Sequence, residues 1–436
     1  MKNDVEPNAN SIRELEIRDA LIVPLITLLL AASLLAQSFK TLYKFTGKAD
    51  GGFPAADLVL DGAGNLYGTT YEGGNLKCLY DQFGCGTVFQ LSPSNKEKAL
   101  YSFSGGSDGS GTYAALVRDG NGNLYGTTYQ GGDYGCGISN GCGTVFQVNP
   151  AGKETTLYTF TGGADGAAPF AGLVRDNAGN LYGVTSYGGN GSGIYGHGVV
   201  FKVDAKGKET VLYTFSYPPD GSLPQGRLLL DKNGNLFGTT YLGGTVNSNC
   251  PYGCGTVFKL SPDSNGTWAE TVLRRFSGTP DGSSPEAGLV QDVAGNLYGT
   301  TLTGGRNSPY CFGFGVGCGT VFKLNPSGKE TVLHRFKSLR DGATPWAGLL
   351  LDSEKQVLYG TTRYGGMSQC GDQFGDGCGT VFAVNLTTGK ETVLHTFLGK
   401  DGAFPFAALI RDKTGYLYGT TSQGSPDGTV FELLPK

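Results

Sequence analysis

The sequence predicts an all-β chain folded as a seven-bladed β-propeller, and three observations carry that prediction. First, the stretch LYGTT or a near copy begins at Leu66, Leu124, Leu181, Leu236, Leu297, Leu358 and Leu417, with successive copies 55 to 61 residues apart. Second, each repeat holds four short apolar runs punctuated by turn residues, the layout of a four-stranded antiparallel blade. Third, the strand types balance only in a closed ring. TLYKF at Thr41–Phe45 precedes the first full unit, while the last unit stops at GTVFELLPK, one outer strand short. The N-terminal strand is therefore expected to complete the last blade, leaving no open sheet edge.

Taken in chain order, residues 1–36 read as a signal peptide or N-terminal membrane anchor and residues 37–436 as the propeller. From Ala20 to Phe39 there is no charge, and small residues surround Ala36, as expected for export. The acids Asp4, Glu6, Glu14, Glu16 and Asp19 precede that run, whereas signal n-regions are basic. An uncharged stretch of about 20 residues can also span a bilayer, so the anchor remains the second reading.

Within each unit, AGLVxD and NLYGTT are joined by DxxGN, where Asp can bond its own backbone and Gly or Asn can take positive φ. GTVFKL and ETVLYTF form the second hairpin around an NPSGK-type turn. Every copy of the AGLV strand carries Ala or Gly at its start, so it is placed innermost, where seven strands converge and only small residues fit. The tight turns then share one face of the ring. The loops after GG and the GxxDGxxP linkers share the other.

The loop face is the variable one. From the GG pair to the next GTVF or GVVF the loops run from 8 residues in blade three to 13 in blade five, against Ser425, Pro426 and Asp427 alone in blade seven. Variable loops on a rigid scaffold are the usual seat of binding. All ten cysteines lie in these loops, two to a blade: Cys78 and Cys85, Cys136 and Cys142, Cys250 and Cys254, Cys311 and Cys318, Cys370 and Cys378. Even count, local pairing and an export signal together predict five disulfides. One pair per loop with no accompanying histidine argues against thiolate metal sites, so no metal and no cofactor is expected.

Composition excludes one class of partner. The chain has a formal charge of −4 and a pI near 5.5, with Lys and Arg scattered, so there is no basic face for nucleic acid. Asp50, Asp108, Asp165, Asp220, Asp281, Asp341 and Asp401 recur once per linker and read as turn caps rather than Ca²⁺ ligands. Of the three histidines, His334 and His395 lie on outer strands and His197 stands alone. No Ser/His/Asp set, HExxH or Walker loop is present.

One position varies while its neighbours repeat. After the linker proline come Ala55, Tyr113, Phe170, Gln225, Glu286, Trp346 and Phe406, which should ring the mouth of the central channel. Tyr113, Phe170, Gln225, Glu286, Trp346 and Phe406 are therefore the candidate ligand-binding residues, able to stack on a sugar ring or grip a peptide. The competing reading is that they plug the channel. Tyr71, Tyr129 and Tyr241, which follow LYGTT or LFGTT, are expected to pack between blades.

The repeat as a whole, DxxGNLYGTTxxGG followed by GTVFKLNPSGKETVLYTFxGxxDGxxPxAGLV, resembles the GloVer (Gloeo-Verruco) tandem repeat of secreted bacterial proteins, and its layout resembles kelch and NHL propellers. That resemblance implies an exported bacterial protein and brings no catalytic residues. The expected function is a monomeric, non-catalytic, exported scaffold that recognises a protein or glycan with its loop-bearing face, in an extracellular, cell-surface or periplasmic location. The alternatives are a polysaccharide-active enzyme using acids such as Glu286, Glu72, Asp133 or Asp372, and a structural surface component.

Overall fold

The computed structural model describes residues 38–78, 82–190, 195–306, 311, 317–337, 340–366, 370 and 377–435. The segment read as signal peptide or anchor, and Asp372, lie outside them. No helix among the described residues is long and apolar enough to cross a membrane. Seven four-stranded antiparallel sheets follow one another around a ring. In the first blade, Val59–Leu60 pairs with Leu66–Thr70, which pairs with Thr87–Leu91, which pairs with Glu97–Ser102.

The ring closes as the strand count requires. Ser38–Lys44 pairs antiparallel with Thr429–Leu434, so the N-terminal strand is the outer strand of blade seven. The AGLV segment is innermost in every blade, but only two residues of it pair in ladder fashion, three in blade six. Its first half, such as Ala55–Asp57, lines the channel instead, because strands converging on an axis leave no room for longer ladders.

Packing between blades repeats one motif. The phenylalanine ending each outer strand meets the GTVF phenylalanine of the next blade edge to face, for example Phe103 and Phe146 at 5.1 Å, Phe397 and Phe431 at 5.3 Å, and Phe45 and Phe89 at 5.0 Å across the closure. All six are fully buried. Edge-to-face pairs add roughly 0.5–1.5 kcal/mol beyond the area they bury. The glycine of LYGTT makes the space: a Cβ on Gly126 would stand 2.6 Å from the Phe146 ring and 3.1 Å from Leu116.

Threonines stitch the blades as well. The first threonine of LYGTT donates to the inner-strand carbonyl of the following blade, as Thr69 to Ala114 (3.2 Å), Thr239 to Ala287 (2.9 Å) and Thr420 to Ala56 (3.3 Å). Blade three reads LYGVT, and its Val184 makes no such bond.

The linker and turn aspartates are caps. Asp165 accepts from the Thr161 amide (2.8 Å), the Thr161 hydroxyl (2.6 Å) and the Tyr158 hydroxyl (2.9 Å). In the DxxGN turn, Asp61 accepts from the Ala63 and Asn65 amides and from the Tyr67 hydroxyl. These bonds hold the Asp61 carboxyl below the ordinary carboxylate range despite the opposing effect of burial.

Candidate functional site

All five cysteine pairs are disulfides: Cys78–Cys85, Cys136–Cys142, Cys250–Cys254, Cys311–Cys318 and Cys370–Cys378. The second cysteine of each is buried, and its carbonyl reaches into the next linker. Cys142 O accepts from the Ala168 amide (2.9 Å), Cys254 O from Ser284 (2.8 Å), Cys318 O from Thr344 (2.9 Å) and Cys378 O from Phe404 (2.9 Å). In blades three and seven, which lack cysteines, His197 O and Asp427 O take the same role toward Leu223 and Phe53.

The residue so held is strained. Phe53, Ala168, Leu223, Ser284, Thr344 and Phe404 all have φ between 52° and 57°, and glycine takes the place in blade two. A non-glycine residue in that region costs of order 1–3 kcal/mol and persists only where its surroundings over-determine it. The next residue is proline or Thr112, and the one after it is the variable position. Each disulfide thus braces the turn that aims one side chain of the following blade at the axis.

Those side chains converge. Ala55, Tyr113, Phe170, Gln225, Glu286, Trp346 and Phe406 all line one cavity of about 530 Å³ at the centre of the ring, with Ala and Gly residues of the inner strands below them. The same cavity runs along the inner strands as far as Val117, Arg175, Leu230 and Val290. Five of the six candidate ligand-binding residues carry rings or a carboxyl, and Gln225 supplies an amide.

The ring is chemically lopsided. Blades seven, one, two and three form an aromatic arc: Phe406 and Phe53 have centroids 5.8 Å apart, Phe53 and Tyr71 6.0 Å, Tyr71 and Tyr113 4.4 Å (stacked), Tyr113 and Phe170 4.7 Å (stacked), and Tyr129 meets Phe170 edge-on at 5.9 Å. Tyr71 and Tyr129 therefore do pack between blades, and they do so at the mouth, each on the ring of the next blade. Burial raises the Tyr113 hydroxyl far above its ordinary value, so it stays neutral.

Blades four, five and six form a polar arc, and most of it was not legible as a site in the sequence. Arg227 occupies the third inner-strand position, where all other blades except the first carry Ala or Gly. Its Nε donates to Leu173 O at 3.1 Å, and no carboxylate among the described residues pairs with it. Glu286 of blade five is 5% exposed. Burial pushes it up to about 8, against the opposing pull of Arg363. The indole N–H of Trp346, close enough to favour the ionised form of that carboxyl, is itself buried with no bond of good geometry.

Arg363 takes the place that tyrosine holds in blades one, two and four. Its guanidinium lies 4.3 Å from the Phe406 centroid, 5.0 Å from Trp346 and 4.9 Å from Tyr364, a cation held by π faces with no carboxylate in salt-bridge range among the described residues. Burial lowers its pKa, but an arginine stays charged. Asp57, in the same column as Arg227 but in blade one, accepts from the Ala408 amide at 2.6 Å. The signal for these residues was in the repeat: Arg227 and Asp57 break a column that is otherwise Ala or Gly, and Arg363 breaks one of Tyr, Ser and Leu.

The arrangement can stack on the apolar face of a ring and hydrogen-bond its edge. At neutral pH Glu286 is mostly a proton donor. The histidines lie elsewhere: His334 and His395 cap Asp341 (3.3 Å) and Asp401 (3.0 Å), and His197 Nδ1 meets Ser222 Oγ at 3.0 Å. No cluster able to hold a metal ion occurs among the described residues.

Comparison with known proteins places the repeat. The sequence profile of the Gloeobacter/Verrucomicrobia repeat matches residues 29–138 and 242–436. No curated protein sequence matches significantly. Among solved structures, a puromycin-hydrolyzing peptidase of Mycobacterium tuberculosis is similar at 11% identity and TM-score 0.51, over 92% of this chain and 56% of that one. The GH74 enzyme of Niastella koreensis is similar at 16% identity and TM-score 0.51, over 88% of this chain and 52% of that one. The chain spans little more than half of either protein, and at these identities the likeness is one of fold.

Proposed function

The chain belongs to the Gloeobacter/Verrucomicrobia repeat family, and on that premise we propose that it is an exported, non-catalytic recognition propeller that takes a glycan or protein segment at the loop-face mouth of its channel. The observation that carries this is the convergence of the one variable column of the repeat on a single open cavity, while the columns around it are spent on packing and caps. Five disulfides fit an extracellular or periplasmic location, where such bonds persist. They also rigidify the mouth, which lowers the ordering cost of binding.

The test is a combined glycan and surface-protein array with the propeller from about Gln37, repeated with Trp346→Ala, Phe406→Ala and Glu286→Ala together. Specific binding lost in the triple variant supports the reading. Binding unchanged in the triple variant places recognition elsewhere. A second reading, a polysaccharide-active enzyme, is favoured by one observation: Glu286 is buried, largely protonated at neutral pH and opens on the cavity, the state of a general acid. Release of reducing ends from a polysaccharide panel, abolished by Glu286→Gln, would establish it. Silence across the panel leaves the binding reading.

A further inference from the structure

Two residues beyond the variable mouth position, the inner strands place a second layer on the same cavity. All seven blades contribute to it: Asp57 in blade one, Arg227 in blade four, and Ala or Gly in the other five. At about 3.3 Å per extended residue the layer lies roughly 7 Å below the mouth. Asp57 and Arg227 stand three blades apart, on nearly opposite sides of a ring of seven, and no other side chain of that layer is larger than a methyl group.

Both side chains are pinned at one atom and open at the rest. Asp57 accepts the Ala408 amide of blade seven through Oδ1 at 2.6 Å, which leaves it its charge and its second oxygen. Arg227 donates through Nε to the Leu173 carbonyl of blade three at 3.1 Å, which leaves its two terminal amino groups. Each is therefore held by the main chain of the preceding blade. Neither is closed off from solvent.

An acceptor-only carboxylate and a donor-only guanidinium in one layer define what can occupy the space between them. A ligand group with a net charge is drawn to one and opposed by the other. A hydroxyl both donates and accepts, so the hydroxyls of one sugar ring can give to Asp57 and take from Arg227, in charge-assisted bonds. The mouth layer above supplies the rings of Tyr113, Phe170, Trp346 and Phe406, flat faces for the C–H side of a pyranose. A peptide also donates and accepts along its backbone, but a peptide entering by its end brings a charged terminus.

We propose that the channel takes the end of a neutral glycan, a hexopyranose unit whose hydroxyls bridge Asp57 and Arg227 while the aromatic mouth stacks on the unit that follows. This rests on the recognition reading and adds to it a ligand class and the two residues below the mouth that select it. The cavity of about 530 Å³ lies in the usual range for small-ligand sites and accepts a short oligosaccharide end rather than a whole chain.

Calorimetric titration with cellotriose, maltotriose, mannotriose and galactotriose, and with uronic-acid and amino-sugar relatives of each, tests this. At least one neutral trisaccharide should bind more tightly than both of its charged relatives. Asp57→Asn, which keeps an oxygen for the Ala408 amide, and Arg227→Gln should each weaken that binding about 10- to 100-fold, the loss of a hydrogen bond to a charged group. The melting temperature should stay near that of the parent. The two changes should also move selectivity in opposite directions, Asp57→Asn toward the uronic acid and Arg227→Gln toward the amino sugar. Affinity untouched by both changes, or selectivity that does not move in opposite directions, overturns the assignment of Asp57 and Arg227 while leaving recognition at the mouth intact. Failure of every neutral sugar to bind, or tighter binding of a peptide end, overturns the ligand class. A ligand from the array whose binding survives Trp346→Ala and Phe406→Ala removes the recognition reading with it.

Discussion

Raising the pH from 5 to 8 should loosen the propeller, and the cause is a girdle of glutamates on its outer strands. Glu97, Glu209, Glu270, Glu330 and Glu391 stand at or near the start of the outer strands of blades one, three, four, five and six, and burial pushes each up to about 7. The linker aspartate of the preceding blade adds to the rise, as Asp50 does for Glu97 and Asp165 for Glu209. One oxygen of each glutamate is buried without a hydrogen bond. These carboxyls titrate higher in the fold than the ordinary glutamate value of 4.5, so the fold holds protons that the unfolded chain has released. Their contribution is complete below pH 4.5, declines as the pH rises toward 7 and is gone above it. Unscreened, each would cost roughly 3 kcal/mol on ionisation. These residues are partly exposed, Glu330 with a well-covered side chain paired to Arg274, and solvent screening leaves about a third of that, roughly 1 kcal/mol each and roughly 5 kcal/mol for the five. With an unfolding entropy of about 2.1 cal/mol/K per residue over about 400 residues, the melting temperature should fall by roughly 6 °C. Calorimetric melts from pH 5 to 8.5 measure this, with a fivefold Glu→Gln variant as control. A flat or rising melting temperature, or an equal fall in the control, would refute the reasoning.

Three further outcomes follow from the same packing. Below about pH 4 stability should fall again, as Asp61, Asp119, Asp176, Asp231, Asp292 and Asp412, all held below the ordinary carboxylate range, take up protons and lose their turn bonds; an acid limb in the same melts checks it. Val184→Thr should restore to the interface of blades three and four the cross-blade hydrogen bond that six other blades make, adding about 1 kcal/mol by denaturant unfolding. Cys311→Ser with Cys318→Ser should cost about 2 kcal/mol from the lost loop constraint. By releasing Thr344 it should also weaken binding at Trp346 more than a disulfide removed from blade one does, as titration of both variants will report.

How far the sequence could be read depended on whether a feature repeats. LYGTT, the paired cysteines and the inner-strand Ala or Gly recur in phase, so blade number, ring closure and the innermost strand followed from counting and crowding. The column at Tyr113, Phe170 and Trp346 could be singled out because its neighbours are constant while it is not. Arg227, Arg363 and Asp57 escaped because they are isolated departures from their columns, and a departure has meaning only once the ring shows what it faces. The glutamate girdle escaped for the opposite reason. ETVL repeats openly, but its partner aspartate lies a blade earlier, and only the inter-blade packing brings the two carboxyls together. The disulfides were legible as staples, whereas their carbonyl bonds to the strained linkers depend on φ values no composition reveals.

The central claim is that the ligand is met at the channel mouth, and Trp346 reports on it directly. The chain has two tryptophans, and the other, Trp268, lies on an outer strand 6.3 Å from Tyr182. In a Trp268→Phe background, Trp346 is the sole indole emitter, half-buried beside Phe406 and Arg363. Titrating the best array ligand should shift or quench its emission with a midpoint matching the calorimetric affinity. Emission unchanged at saturating ligand would contradict the account.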